Sequence, residues 1–168
     1  MSLVSITCFC GSSFELPTKK RKQLLTGFER FCSAYCLQKY LQSLPDKYED
    51  PFDHCDIEEC FLGDPHEYWD CALDMYFRSS YEAIVAKFFT AIGEPWKYEP
   101  CVIFLQGRKQ YNPDFFLYRS NTFVEVKGAW AGSNKSKMRT CVQRGHNLIL
   151  IPSYLVKSIN EYLSRISV

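Results

Sequence analysis

The clearest hydrophobic pattern in the chain lies between Ser79 and Gly93. Apolar side chains recur there at the three- and four-residue spacing of an amphipathic helix: Tyr81, Ile84, Val85, Phe88, Phe89 and Ile92. Ser79 and Glu82 occupy the two positions of a capping box, and Pro95 forbids continuation beyond Gly93. The pattern therefore predicts a helix that begins after Ser79 and ends at Gly93.

Strand-like segments follow this helix. Residues 96–105 are rich in aromatic and β-branched side chains and predict a strand that turns at residues 106–108. Residues 114–118 and 122–126 predict two further strands, and the polar turn between them suits an antiparallel hairpin.

Helix and strand patterns alternate in the rest of the chain. Residues 135–144 predict a helix, residues 147–151 a short apolar strand, and Ser153 can cap a last helix. The predicted order is α, β, β, β, α, β, α. This order favours an α/β fold in which helices pack against a mixed sheet.

The first 77 residues lack such a pattern and differ in charge. Residues 1–43 hold four cysteines and a basic run, whereas residues 44–77 are acidic, contain three prolines and predict an irregular connecting segment. Residues 46–74 carry 11 acidic residues and one lysine, which leaves 19 basic and 8 acidic residues elsewhere. The basic remainder favours a polyanionic partner, although a solvated surface with an acidic loop would explain the charge equally well.

Cysteine usage and the absence of long apolar runs indicate the compartment. No segment has the sections of a signal peptide, and no apolar run approaches the roughly 20 residues that cross a bilayer. We therefore expect a soluble, cytoplasmic protein without a membrane partner. In a reducing compartment, nine cysteines favour metal binding over disulfides.

Charged residues interrupt the strands that should be buried. Side chains alternate along a strand, so Glu125 and Lys127 share one face while Val124 and Val126 share the other. The predicted hairpin brings Asp114 to the same end of the sheet. Carboxylates that are buried together repel each other unless a cation lies between them, and magnesium prefers oxygen ligands. Such a site suits phosphodiester hydrolysis, although an exposed Glu–Lys pair on a strand also explains the pattern.

Element order and motif together resemble the PD-(D/E)xK nuclease superfamily. The resemblance covers residues 78–151: the helix with Glu82, Asn112-Pro113-Asp114-Phe115, and Val124-Glu125-Val126-Lys127-Gly128. It implies a restriction-endonuclease-like core over residues 78–168, similar to small phage- and transposon-encoded members. It also implies that Glu82, Asp114 and Glu125 bind Mg²⁺ or Mn²⁺ and that Lys127 is the catalytic lysine. For Glu82, a capping role alone is the alternative.

A second motif lies in residues 1–43. Cys8 and Cys10 on a turn, with Cys32 and Cys36 at the start of a helix capped by Ser33, can close a four-sulfur zinc site. The pattern resembles the treble-clef or zinc-ribbon knuckles found beside phage homing nucleases. Four free buried thiols are the alternative. Because so small a module has little apolar core, we expect zinc to supply much of its folding free energy.

Basic residues provide the candidate contacts to DNA. They are Lys19, Lys20, Arg21 and Lys22 beside the cysteines, and Lys137, Arg139, Gln143 and Arg144 on the helix after the Glu-Val-Lys motif. Solvated surfaces are the alternative for both groups. A second metal site built from His54, Cys55, Cys60, His66 and Cys71 fits no known spacing and stays open.

These observations lead to one hypothesis with two rivals. We expect a Mg-dependent DNA endonuclease with structural zinc, which acts as a dimer or as a nickase because one small domain offers one active centre. The first rival is a zinc-dependent DNA-binding protein without catalysis. The second is a nuclease subunit of a larger recombination or transposition complex.

Overall fold

A computed structural model describes residues 2–18, 28–47, 68–105, 110–128 and 134–166 of the chain. The described part is a mixed α and β structure with four helices and ten short strands. In chain order the elements are β1 (Leu3–Thr7), β2 (Ser13–Pro17), α1 (Ala34–Ser43), β3 (Tyr68–Asp70), β4 (Met75–Phe77), α2 (Ser80–Ala91), β5 (Trp96–Tyr98), β6 (Ile103–Phe104), β7 (Gln110–Tyr111), β8 (Phe115–Leu117), β9 (Thr122–Lys127), α3 (Asn134–Gln143), β10 (Asn147–Pro152) and α4 (Ser153–Ile166).

A four-stranded sheet forms the centre of the fold, in the order β10-β9-β8-β5. β8 pairs antiparallel with β5 and β9, and β10 pairs parallel with β9. The parallel pair needs a crossover, which α3 supplies. The predicted order α, β, β, β, α, β, α is therefore present, with the small hairpin β6–β7 inserted before β8.

Both faces of this sheet are covered. Phe115, Leu117, Val124 and Val126 belong to a core cluster that includes side chains of α2 and α4. On the other face, a second cluster combines strand residues with Met138 and Cys141 of α3; its strand members include Phe116, Phe123, Tyr111 and Leu150. The alternation of side chains along each strand thus feeds two separate cores.

Helix α2 follows the sequence pattern closely. Ser79 is its N-cap and accepts a hydrogen bond from the N–H of Glu82. Gly93 ends it with a φ of 70°, a left-handed conformation that glycine adopts without steric cost. The predicted helix is confirmed.

The predicted single strand over residues 96–105 is wrong. It divides into β5 and β6, which belong to different sheets. Glu99 has a φ of 43° and Pro100 follows it, so the chain leaves the central sheet there. A proline lacks the N–H that a sheet ladder needs, and this explains why aromatic and β-branched composition alone misled the prediction.

The prediction of an irregular segment over residues 44–77 is wrong for its last ten residues. β3 and β4 form an antiparallel hairpin that packs on α2. Phe77 is fully buried, and the buried Asp70 forms an ion pair with Lys87 of α2 at 2.6 Å. This hairpin belongs to the same folded unit as α2.

The N-terminal residues share the main core. Phe31, Ala34, Leu37 and Leu41 are buried in the same cluster as α2 and α4. The N–H of Ala34 also donates to the Ser158 hydroxyl of α4 at 3.0 Å. The expected small module with little apolar core is therefore wrong for α1, because its apolar side chains are buried in the main core.

In the described part of the chain, every helix is too short or too polar to traverse a lipid bilayer.

We predict that Phe77→Ala lowers the free energy of unfolding by about 3–5 kcal/mol, because it removes a fully buried ring. Its neighbour Tyr76 is 56% exposed, so Tyr76→Ala should cost less than about 1 kcal/mol. Urea denaturation of the two variants measures both values. Equal, small losses would show that the hairpin does not belong to the core.

Candidate functional site

Four charged side chains meet at one end of the central sheet. β9 ends there with Glu125 and Lys127, and β8 begins there just after Asp114. The end of α2 leads into the start of β5, which lies at the opposite end of the sheet. Helix α2 therefore begins at the carboxylate end and contributes Glu82. Neighbouring elements thus place three carboxylates and one ammonium together.

Asp114 is anchored to β9 by a backbone hydrogen bond. The register pairs Phe115 with Val124, so the next position outward sets Asp114 opposite Glu125 on the same face. The carboxylate of Asp114 accepts a hydrogen bond from the N–H of Val126 at 2.7 Å. The hairpin therefore holds this acid beside Glu125 and Lys127, as the sequence predicted.

Glu125 is buried, with 3% of its surface exposed. Its Oε1 forms an ion pair with the ammonium group of Lys127, and its Oε2 accepts a hydrogen bond from the Tyr111 hydroxyl at 2.7 Å. The Glu-Val-Lys pair is therefore not the exposed cross-strand ion pair that its pattern also allowed.

Glu82 has the capping role and also lies in the electrostatic cluster. Its Oε1 accepts from the Ser79 hydroxyl at 2.8 Å, while its Oε2 accepts from the Tyr98 hydroxyl at 2.6 Å and from the N–H of Arg78 at 3.1 Å. Its charge also acts on the pKa values of Asp114 and Lys127. Capping and a place in the cluster are thus compatible.

The cluster brings three acidic side chains together with one lysine. Burial raises the pKa of Asp114 well above its usual value, and the charges of Glu125 and Glu82 raise it further. Burial also raises the pKa of Glu125, against the effect of Lys127. Although burial acts to lower the pKa of Lys127, that pKa is raised, because Glu125 and Asp114 favour the ammonium. An added cation would relieve this repulsion.

A hard divalent cation fits the donor set, since carboxylate oxygens are the ligands that magnesium prefers. In this structure, however, the three carboxylates are less tightly gathered than the cysteines. Among the residues described, the cysteines form the group whose ligand atoms all lie within 4.8 Å of one another. Lys127 occupies one oxygen of Glu125 and the Val126 N–H one oxygen of Asp114.

Cys8, Cys10, Cys32 and Cys36 form this second cluster. Cys8 and Cys10 lie on a turn between β1 and β2, in which Gly11 has a φ of 83° that favours glycine. The other two lie at the start of α1, where Ser33 caps the helix as predicted. The four sulfurs can surround one metal ion.

The sulfur geometry fits tetrahedral zinc. Four sulfurs at a Zn–S distance of about 2.3 Å lie roughly 3.8 Å apart, and the Cys32 and Cys36 sulfurs are 3.3 Å apart without a disulfide. The N–H of Cys32 donates to the Cys8 sulfur at 3.1 Å. Hydrogen bonds from Ser12 lower the pKa of Cys10 to about 6, whereas burial raises the pKa of Cys32 to about 12.

The remaining predicted residues are placed as follows. Because α3 runs back from the end of β9 to the start of β10, its first turns lie at the carboxylate end of the sheet. The exposed Arg139 and the half-buried Lys137 belong to α3, whereas Arg144, at its far end, donates to the Phe104 carbonyl. Cys71 is exposed, and Cys101 and Cys141 are buried. Outside the described residues lie Lys19, Lys20, Arg21, Lys22, His54, Cys55, Cys60 and His66.

Sequence reasoning assigned no role to four residues beside the carboxylates. Tyr98 and Tyr111 each donate a hydroxyl to one of the acids, and Arg78 pairs with Glu99 at 2.7 Å. Isolated tyrosines in apolar segments give no sequence signal for such contacts. Only the predicted proximity of the segments could have suggested them.

Comparison with known proteins gives no match to this chain among family models, curated proteins or solved structures.

We predict that the stability of Asp114→Asn, relative to the original protein, rises as the pH increases from 4.5 to 7 without divalent cations. The folded-state pKa of Asp114 lies above its ordinary value of 3.8. Between pH 3.8 and the folded-state pKa, the folded protein holds this proton more tightly than the unfolded chain does. The original protein therefore loses stability as the pH rises through this interval. Asparagine does not ionise and escapes this loss.

Urea denaturation at the two pH values measures the effect. Asp74→Asn is the matched control, because Asp74 is exposed in the β3–β4 turn. A stability difference for Asp114→Asn that does not change with pH would contradict the raised pKa.

Proposed function

We propose that this protein is a metal-dependent endonuclease that hydrolyses DNA phosphodiester bonds. The observation that carries the proposal is the meeting of Asp114, Glu125, Lys127 and Glu82 at one end of the sheet. The buried Glu82 and Glu125 and the half-buried Asp114 share one lysine. This arrangement is costly unless a cation neutralises it, and a divalent cation would do so.

The topology supports this function. The elements follow the order found in the PD-(D/E)xK nucleases that the sequence resembles. They are a helix bearing Glu82, three antiparallel strands bearing Asp114 and the Glu-Val-Lys motif, a crossover helix and a parallel strand. A restriction-endonuclease-like core over residues 78–168 is therefore part of the proposal.

Each charged residue has a chemical role in this proposal. Glu82, Asp114 and Glu125 would hold Mg²⁺ or Mn²⁺, which supplies an activated water and neutralises phosphate charge when bound. Lys127, with 16% of its side chain exposed, can donate to a phosphate oxygen or orient the attacking water. In the described part of the chain, the half-buried Asp114 and the exposed Gly128 lie at this end of the sheet, where a substrate would approach.

The cysteine cluster is proposed to hold structural zinc. All four positions of a tetrahedral site are filled by sulfur, which leaves none for a reacting water. The cluster joins the β1–β2 hairpin to α1, since Cys8 and Cys10 lie on the hairpin and Cys32 and Cys36 at the helix. Zinc would fix this junction, while the shared core stabilises α1.

DNA would lie across the carboxylate end of the sheet. Lys137 and Arg139 on α3 are proposed as phosphate contacts there, and the basic residues at 19–22 as further contacts. The described residues of one chain form one such set of carboxylates, so cleavage of both strands would need a dimer or a larger recombination complex.

We predict that the protein nicks supercoiled plasmid DNA in Mg²⁺ and that Asp114→Asn lowers the nicking rate at least about 100-fold. A catalytic metal contributes several kcal/mol to the transition state, and about 2.7 kcal/mol corresponds to a factor of 100. Gel assays with Mg²⁺ or EDTA measure the rate. Asp74→Asn makes the same chemical change at an exposed turn and should retain full activity.

Two results would contradict the proposal. Full activity of Asp114→Asn would remove this acid from catalysis. DNA binding by the original protein in a gel-shift assay, without nicking in either Mg²⁺ or Mn²⁺, would favour the rival of a zinc-dependent DNA-binding protein.

We predict one zinc ion per chain by elemental analysis and its loss in Cys36→Ser. Loss of zinc should cost about 2.5–5 kcal/mol of folding free energy, and at about 2–4 °C per kcal/mol for a chain of this size the melting temperature should fall by roughly 10 °C. Cys71→Ser, at an exposed cysteine outside the cluster, should keep both the zinc and the melting temperature. Absence of zinc from the original protein would contradict the assignment.

A further inference from the structure

The phenol of Tyr111 lies directly against the buried acid Glu125. We infer that Tyr111 is a positioning residue that fixes the Glu125 carboxylate for metal binding; this inference rests on the proposed function. The Tyr111 hydroxyl donates to Glu125 Oε2 at 2.7 Å, and Oε1 of the same carboxylate meets Lys127. The two oxygens of Glu125 thus have different partners, and rotation of the carboxylate would break both contacts.

Tyr111 itself is held rigidly. It is 4% exposed and belongs to the core cluster between the sheet and α3, together with Phe116 and Cys141. Its backbone pairs with Ile103 in the β6–β7 hairpin. A side chain whose ring is packed on all sides loses little further entropy when its hydroxyl forms a hydrogen bond, so this contact can orient Glu125 effectively.

Tyr111 and Asp114 are three residues apart, so the donor to Glu125 and a second proposed metal ligand lie on the same short segment of chain.

Removal of this hydroxyl should weaken metal binding while the fold persists. Tyr111→Phe retains the buried ring but leaves Glu125 Oε2 without its donor. Partners that orient metal ligands change metal affinity by about 10- to 100-fold when they are lost. We therefore expect an affinity for Mn²⁺ about 10-fold weaker or more in Tyr111→Phe.

Electron paramagnetic resonance of free Mn²⁺ measures this affinity directly in protein that contains its zinc. Tyr76→Phe is the matched control, because Tyr76 is exposed, and it should bind Mn²⁺ as the original protein does. The variant Glu125→Gln and the double variant Tyr111→Phe/Glu125→Gln complete a double-mutant cycle. If Tyr111 acts through Glu125, Tyr111→Phe should change the affinity less than about 2-fold in the Glu125→Gln background.

Plasmid nicking at graded Mg²⁺ concentrations supplies the second readout, in which Tyr111→Phe should need more Mg²⁺ for half-maximal rate.

Three outcomes would contradict this inference in different ways. Unchanged Mn²⁺ affinity in Tyr111→Phe, with an original protein that binds Mn²⁺ and nicks, overturns the positioning role alone. An equal loss with or without Glu125→Gln shows a general structural effect and also overturns it. An original protein that neither binds Mn²⁺ nor nicks DNA overturns the proposed function and this inference together.

Discussion

Repulsion between neighbouring carboxylates, two of them buried, is the constraint on which this structure depends. The antiparallel register of β8 and β9 sets Asp114 opposite Glu125, and the first turn of α2 adds the charge of Glu82. Lys127 is the one cation in direct ion-pair contact with these acids among the residues described. Buried like charges cost several kcal/mol unless they are neutralised, so the arrangement makes physical sense as a cation site.

The carboxylate end of the sheet also connects the carboxylate cluster to the cysteine cluster. β10 runs parallel to β9 and passes into α4, against which the N-terminal residues pack. The Phe14 ring of β2 lies 5.7 Å from the Tyr154 ring in the first turn of α4, and the N–H of Ala34 in α1 donates to Ser158 of α4. The elements that carry the cysteines thus pack against the helix that follows the central strands.

Local patterns predicted the parts of the fold that depend on neighbours in sequence. Ser79, Glu82 and Gly93 mark both ends of α2, and the alternation around Glu125 identified the faces of β9 correctly. The errors arose where distant contacts decide the structure. Nothing local in Tyr68–Phe77 indicates that this hairpin will pack against α2. Composition also does not reveal the turn at Glu99 that divides the predicted strand. The tyrosine donors were missed for the same reason, since a hydroxyl finds its carboxylate only after the sheet has formed.

The most direct test of the central claim is a crystal structure of the protein soaked in Mn²⁺, examined by anomalous scattering. The account predicts an anomalous peak among Asp114, Glu125 and Glu82, with carboxylate oxygens at about 2.0–2.4 Å and with Lys127 still beside the site. Anomalous signal confined to the cysteine sulfurs at saturating Mn²⁺, with Glu125 still paired to Lys127, would contradict the proposal that these acids exist to bind a catalytic cation.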